Sequence, residues 1–248
     1  MRKPIVLVTL LAVSLLAAQP ALAEPRDSVS RLFPIYANGG LADLTVDPQR
    51  FVAQMGIVDR LFDATSCELI EGSINAAGYR RLLRFDTVLI NGAQTLIVGS
   101  PKDPANPYHN VFEFSPCHQH YHIKGFANYQ LLNLNGTIAA QGHKQAFCFI
   151  SSFKYSNDLN GQDKPSFSCD DQGIASGYGD WYYKQLSGQW IDITGVAEGD
   201  YIVRVTINAA GTFAEGQNRY PNVIETRIHV PDPRNKVAVD TSALVYGE

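Results

Sequence analysis

At 248 residues the chain has the length of one ordinary domain with a sizeable core, or of a domain plus a small appendage. Its 20 Lys and Arg against 24 Asp and Glu give a formal net charge of −4, and the absence of a basic stripe or an aromatic-interleaved basic patch argues against nucleic acid as a partner. The longest apolar run, residues 5–18, falls short of the roughly 20 residues that cross a bilayer core, which argues against a membrane span.

Arg2 and Lys3 precede that apolar run, and Ala21, Leu22 and Ala23 form a small-x-small cleavage pattern. Residues 1–23 therefore read as a secretory signal peptide and residues 24–248 as one exported domain beginning at Glu24, secreted or periplasmic. Cleavage takes away two of the 20 basic residues and none of the acidic ones, so the exported chain stays mildly acidic. Four cysteines (Cys67, Cys117, Cys148 and Cys169) are an even number in an exported protein. They read as two disulfides, with three connectivities open.

In chain order, Phe51, Val52, Met55, Val58, Leu61 and Phe62 have the spacing of one amphipathic helix over residues 48–62. From about residue 78, short β-rich runs between Gly, Asn, Asp and Pro clusters predict strands over 81–90, 95–99, 109–114, 118–134 and 190–194. Residues 151–187, rich in Ser, Asp, Gly and aromatics, show no period and read as one long loop, functional or disordered. Tyr201, Val203, Val205 and Ile207 alternate with polar neighbours, as do Ile224, Thr226, Ile228 and Val230, so both runs read as half-buried strands. His229 then falls on a solvated face. The expected fold class is mainly β: a β-sandwich-like core with long loops and one or two short helices.

Half of the six histidines sit at alternate positions in Cys-His-Gln-His-Tyr-His, residues 117–122. On a strand, positions i, i+2 and i+4 share a face, whereas on a helix the first two would point about 200° apart. A strand would thus aim His118, His120 and His122 at one point. Three neutral imidazoles suit Cu(II) or Zn(II) rather than calcium or magnesium. On spacing alone, a catalytic zinc hydrolase and a surface strand that merely carries histidines stay open.

The eight residues Ser-Pro-Cys-His-Gln-His-Tyr-His at 115–122 resemble the copper-binding signature of the lysyl oxidase family. Gly-His-Lys-Gln-Ala-Phe-Cys at 142–148 is similar to that family's Gly-His-Lys-x-x-Phe-Cys segment, and Gln-Trp-Ile-Asp-Ile-Thr at 189–194 matches a third block. Weaker similarity runs from residues 41–44 through 82–85 to Asn222 and Val223, and corresponds to the family's catalytic domain.

The resemblance implies a copper- and quinone-dependent amine oxidase, in which His118, His120 and His122 hold Cu(II). Lys144 and Tyr182 would be fused into lysine tyrosylquinone (LTQ), the tyrosine lying seven residues before Gln189, with Tyr178 and Tyr183 as neighbouring rivals. It further implies oxidative deamination of a primary amine, peptidyl lysine or a small amine, by molecular oxygen, releasing an aldehyde, hydrogen peroxide and ammonia. Asp180 and Asp192 flank the tyrosine as candidate bases. Matching positions imply the disulfides Cys67–Cys117 and Cys148–Cys169. They also imply a calcium site from Asp43, the Leu44 carbonyl, Glu215, Asn218 and Asn222, with an amide where the family has an acid. Gly188 stands where animal members have a further cysteine, and Ser115 where they have a further histidine. The alternative is an extracytoplasmic copper-binding protein without oxidase activity. A zinc hydrolase leaves the Lys144 and Tyr182 matches unexplained.

Overall fold

The structure, a computed structural model, describes residues 25–143, 147–157 and 167–246, the side chains of residues 25–28 excepted. The expected signal peptide, residues 1–23, and Lys144 lie outside the described residues. Among the described residues the fold is mainly β, with short strands in several small sheets around a main core and two smaller apolar clusters, and three short α-helices, Pro25–Leu32, Pro48–Ala53 and Cys67–Ile70. No helix among the described residues is long and apolar enough to cross a membrane.

The central strand of one sheet is Gly199–Ile207, whose Tyr201, Val203, Val205 and Ile207 are buried while Ile202, Arg204 and Thr206 stay half-exposed. This alternation fixes register, because a one-residue slip would turn the apolar set outward. Val203 faces Thr226 of Val223–Val230 on one side and Leu131 of Ala127–Asn133 on the other. Ala127–Asn133 also pairs with Ile138–Gly142, whose last residue opposes Tyr129. A Cβ on Gly142 would stand 2.9 Å from the Trp190 carbonyl oxygen and from Tyr129 Cβ, so only glycine lets this edge approach so closely. His229 is exposed at the surface beside Asp200, as its strand parity predicts.

A second sheet orders Trp190–Asp192, Gly78–Arg84, Gly56–Phe62 and Ala238–Val239. A third orders Leu44–Val46, Thr87–Asn91, Tyr178–Tyr182 and Phe153–Lys154, and carries Tyr182 at the end of its strand opposite Thr87.

Five sequence expectations are corrected here. The helix at 48–62 stops at Ala53. Asp47 caps it through the Gln49 and Arg50 N–H groups, but residues 56–62 pair along their whole length with Gly78–Arg84. The apolar spacing misled because Val52 and Leu61 are exposed rather than facing the core. The single strand at 81–90 breaks at Phe85 and Asp86. There the buried Asp86 carboxylate takes the Trp181 indole N–H at 2.7 Å and the Lys184 backbone N–H at 2.8 Å, turning the chain from one sheet into another. The strand at 118–134 is two strands, His120–Ile123 and Ala127–Asn133, separated by Gly125 at φ 60°. Residues 151–187 contain the strands Phe153–Lys154, Gln172–Ile174 and Tyr178–Tyr182. Gln172–Ile174 is buried at every position and Tyr178–Tyr182 at most, so no alternation betrays them. Residues 109–111 are 3-10 helix ahead of the strand Phe112–Ser115.

Both disulfides implied by the resemblance are present, Cys67–Cys117 and Cys148–Cys169. The first spans 50 residues and the second 21, so loop entropy assigns them about 4 and about 3 kcal/mol respectively as upper figures. Replacing Cys67 and Cys117 together by Ser is expected to lower the urea midpoint more than the same change at Cys148 and Cys169. An equal or reversed order would show that strain or local packing, not loop closure, governs their contribution.

Candidate active site

Phe112–Ser115 and His120–Ile123 form a hairpin in which Ser115 opposes His120 and Glu113 opposes His122. Strand alternation puts His120 and His122 on one face. His118 reaches them differently from the sequence expectation, because it sits in the connecting turn. The Gln119 N–H closes the turn on the Ser115 carbonyl at 2.8 Å, with Gln119 at φ 61°, and the His118 N–H is held by Ser115 Oγ at 3.0 Å. The ring nitrogens of the three histidines lie within 4.8 Å of one another. The His120 and His122 Nε2 atoms are 2.9 Å apart. The rings meet at interplanar angles of 76–88°.

His118 Nε2 tests whether this set fits a metal. The atom is buried and makes no hydrogen bond among the described residues, with the Glu71 carboxylate at 3.4 Å. A buried ring nitrogen without a partner is costly, and a cation among three converging imidazoles removes that cost. The donor set therefore fits a borderline ion such as Cu(II) or Zn(II) with an open position.

Sequence reasoning missed the surroundings of this triad. Glu71, just past the helix Cys67–Ile70, accepts a short hydrogen bond from Ser115 Oγ. The Cys67–Cys117 bridge ties that helix to the turn beside His118. The Tyr246 ring packs edge-on against His118 at 5.5 Å, and burial, reinforced by a hydrogen bond to Glu68, pushes its phenol up to about 12. No motif announces these residues, because they come from segments far apart in sequence.

Tyr182 is fully buried, its hydroxyl 2.6 Å from Asp180 Oδ2 and 3.0 Å from the Cys148 carbonyl. Lys144 lies outside the described residues. Phe147, three positions later in sequence, packs on the Tyr182 ring at 4.6 Å. Asp180 is 1% exposed, and burial raises its carboxyl from 3.8 to about 7, against the lowering effect of hydrogen bonds from Tyr182, the Ile150 N–H and Ser152. The other candidate base, Asp192, ion-pairs with Arg80 at 2.7 Å and caps Thr194, so it is a scaffold acid. Tyr183 is 47% exposed and stacks on Trp181. Tyr178 is half-buried, opposite Lys154.

The calcium candidates are mixed. Asp43 Oδ1 and Asn222 Oδ1 are buried without hydrogen-bond partners, as oxygens awaiting a hard cation would be. Both Glu215 oxygens, in contrast, are engaged at 2.6 Å by N–H donors of Leu44, Asn208 and Asn222. Asn218 lies beyond them, in the left-handed region at φ 45°.

The sequence model of the lysyl oxidase family matches residues 62–239, well over half of the chain. The chain belongs to the lysyl oxidase family. Lysyl oxidase homolog 2 of Homo sapiens is 34% identical over 194 residues, covering 73% of this chain and 23% of that protein. Lysyl oxidase homolog 2A of Danio rerio is 35% identical over 181 residues, covering 70% and 24%. Lysyl oxidase homolog 2 of Gallus gallus reaches 41% over 143 residues, covering 56% and 17%. The chain spans about a quarter of the length of the first two relatives.

In this member of the family the third sequence block is structural. Gln189 Nε2 donates to Thr87 Oγ1 at 2.7 Å and Trp190 is fully buried. Two predictions follow from the geometry of the site. His118→Ala, which leaves two imidazoles, is expected to weaken copper binding at least tenfold by competition with a chromogenic chelator, and unchanged affinity would remove His118 from the ligand set. A raised Asp180 carboxyl contributes its full stability below the ordinary value of 3.8 and loses it as pH rises through about 7. Relative to Asp180→Asn, the unmodified protein should therefore lose urea stability as pH rises from about 4 to about 7. A gap that stays constant or moves the other way would contradict a protonated Asp180.

Proposed function

We propose that the chain is an exported copper-dependent amine oxidase, residues 24–248 acting as one catalytic domain after cleavage of residues 1–23. In this reading His118, His120 and His122 hold copper, and Lys144 and Tyr182 are the precursors of LTQ. The net reaction takes a primary amine, oxygen and water to an aldehyde, ammonia and hydrogen peroxide. The observation that carries the reading is the Tyr182 hydroxyl, held between a near-neutral carboxyl and the backbone of the block that contains Lys144.

Copper held by His118, His120 and His122 would supply, with oxygen, the oxidising power needed to convert a phenol into a quinone open to a lysine amine. The rest is the work of the chain's own side chains. Burial keeps water from Tyr182, and Phe147 fixes the plane of its ring. Asp180 fixes the direction of the hydroxyl and, once ionised, accepts its proton across the 2.6 Å hydrogen bond. An acid of this kind works best near the pH at which it operates, and burial brings Asp180 to about 7. The Ile150 N–H at 3.0 Å keeps its oxygen in place. Substrates within this reading are primary amines, peptidyl lysine or small amines, with oxygen as co-substrate. A calcium ion at Asp43 and Asn222 would be structural, and should raise the melting temperature in a way that magnesium does not reproduce.

Peptide mapping of protein exported in the presence of copper tests the assignment. A covalent peptide joining Lys144 to Tyr182 is expected, with a visible chromophore that phenylhydrazine shifts and that is lost in Lys144→Met and Tyr182→Phe. Bound copper with both residues unmodified would establish a copper-binding protein without oxidase activity.

A further inference from the structure

Tyr182 has no exposed surface, so an amine must approach through a space beside it. A cavity of about 480 Å³ lies against Asp180, the residue bonded to the Tyr182 hydroxyl. Its walls include Ile150, Trp181, Tyr183, Leu186 and Val245, and among the described residues that line it Asp180 is the one carboxylate. Trp181 and Tyr183 stack on each other at 4.9 Å and 28°, with Arg50 over the Trp181 ring at 4.6 Å, and both aromatic residues line the cavity.

Val245 forms an isolated parallel β-bridge with Leu186. The Ser187 N–H donates to the Val245 carbonyl at 2.9 Å, and the Val245 N–H to the Gln185 carbonyl at 3.3 Å. The next residue, Tyr246, rests on His118. The cavity thus touches Asp180 on one side and is one residue from a contact with the metal triad on the other. Nothing in the sequence motifs marks it.

Resting on the oxidase reading, we infer that this cavity is the amine recess and that it takes free primary amines with a compact aromatic substituent, the ammonium end at Asp180 and the ring against Trp181 and Tyr183. Charge selects the end, since an acid in an apolar enclosure is a favourable partner for a cation. Volume selects the body. At roughly 30 Å³ per water-sized group, the five heavy atoms of a lysyl side chain fill about a third of the space and the nine of 2-phenylethylamine more than half. Pockets of this size with few polar groups are those that enclose whole small molecules. Val245 and Leu186 then set how large a ring is accepted.

Binding can be read apart from chemistry in the copper-loaded Lys144→Met protein, which cannot form the quinone. The chain has two tryptophans. Trp181 lines the cavity while Trp190 is buried in the cluster around Phe62 and Leu82, so intrinsic fluorescence reports occupancy. Saturable quenching by 2-phenylethylamine is expected at a concentration at least tenfold below that for Nα-acetyl-lysine amide. Val245→Phe should weaken the aromatic amine about tenfold, on the scale of one misplaced apolar group in a pocket. Asp180→Asn should weaken the amine but not neutral 2-phenylethanol, which also shows that the variant is folded. Equal or tighter binding of the lysine compound, or indifference to Val245→Phe, overturns the recess. A chain with active LTQ in which these bindings fail loses only the recess. A chain that binds as described but shows no quinone in the Lys144-containing protein loses the oxidase reading and keeps an amine site.

Discussion

A carboxyl group cut off from water has to be either neutral or surrounded by donors, and Asp180 is held close to the balance between the two. Burial drives it toward the protonated form, while the Tyr182 hydroxyl, the Ile150 N–H and Ser152 pull it back toward the charged form. Much of the local architecture serves that balance. Tyr178–Tyr182 is locked between Thr87–Asn91 and Phe153–Lys154. The neighbouring indole of Trp181 is pinned by Asp86. The Cys148 carbonyl beneath Tyr182 belongs to a cysteine bridged to Cys169. Loosening any of these would admit water, and the carboxyl would return to its ordinary acidity.

The histidine triad is built on a different principle. It needs two strand residues and one turn residue from a single hairpin, and a hairpin alone is marginally stable. Two attachments of its turn make up the difference: Cys117 is bridged to Cys67 of the short helix, and Glu71, just past that helix, accepts a hydrogen bond from Ser115 Oγ. The cross-linked helix therefore acts as a splint for the imidazoles. Val245 and Tyr246 join the two centres, one lining the cavity beside Asp180 and the other packing on His118.

Much of this was legible in the sequence. The alternation in 201–207 and 224–230 gave those strands with the correct buried faces, and the histidine spacing gave the triad, although strand parity accounts for only two of its members. His118 joins through a turn with left-handed Gln119, a conformation that residue identity does not announce. The stretch 56–62 reads as helix because amphipathic spacing says nothing about a partner strand 20 residues away. Two of the short strands between 151 and 187 are invisible because residues buried on both faces leave no polar stripe to count, and the third, Phe153–Lys154, is too short to show a period. Asp180 and Asp192 look equivalent in sequence. The fold separates them, giving one a buried phenol and the other an arginine on an edge.

The central claim is that Asp180 governs the proton of Tyr182. It is tested most directly by the rate at which the quinone chromophore appears after copper is added to the copper-free chain, followed across pH. The account predicts a rate that rises through an inflection near pH 7 in the unmodified protein, and a slower rate without that inflection in Asp180→Asn. Identical rates and pH profiles in the two proteins would contradict it.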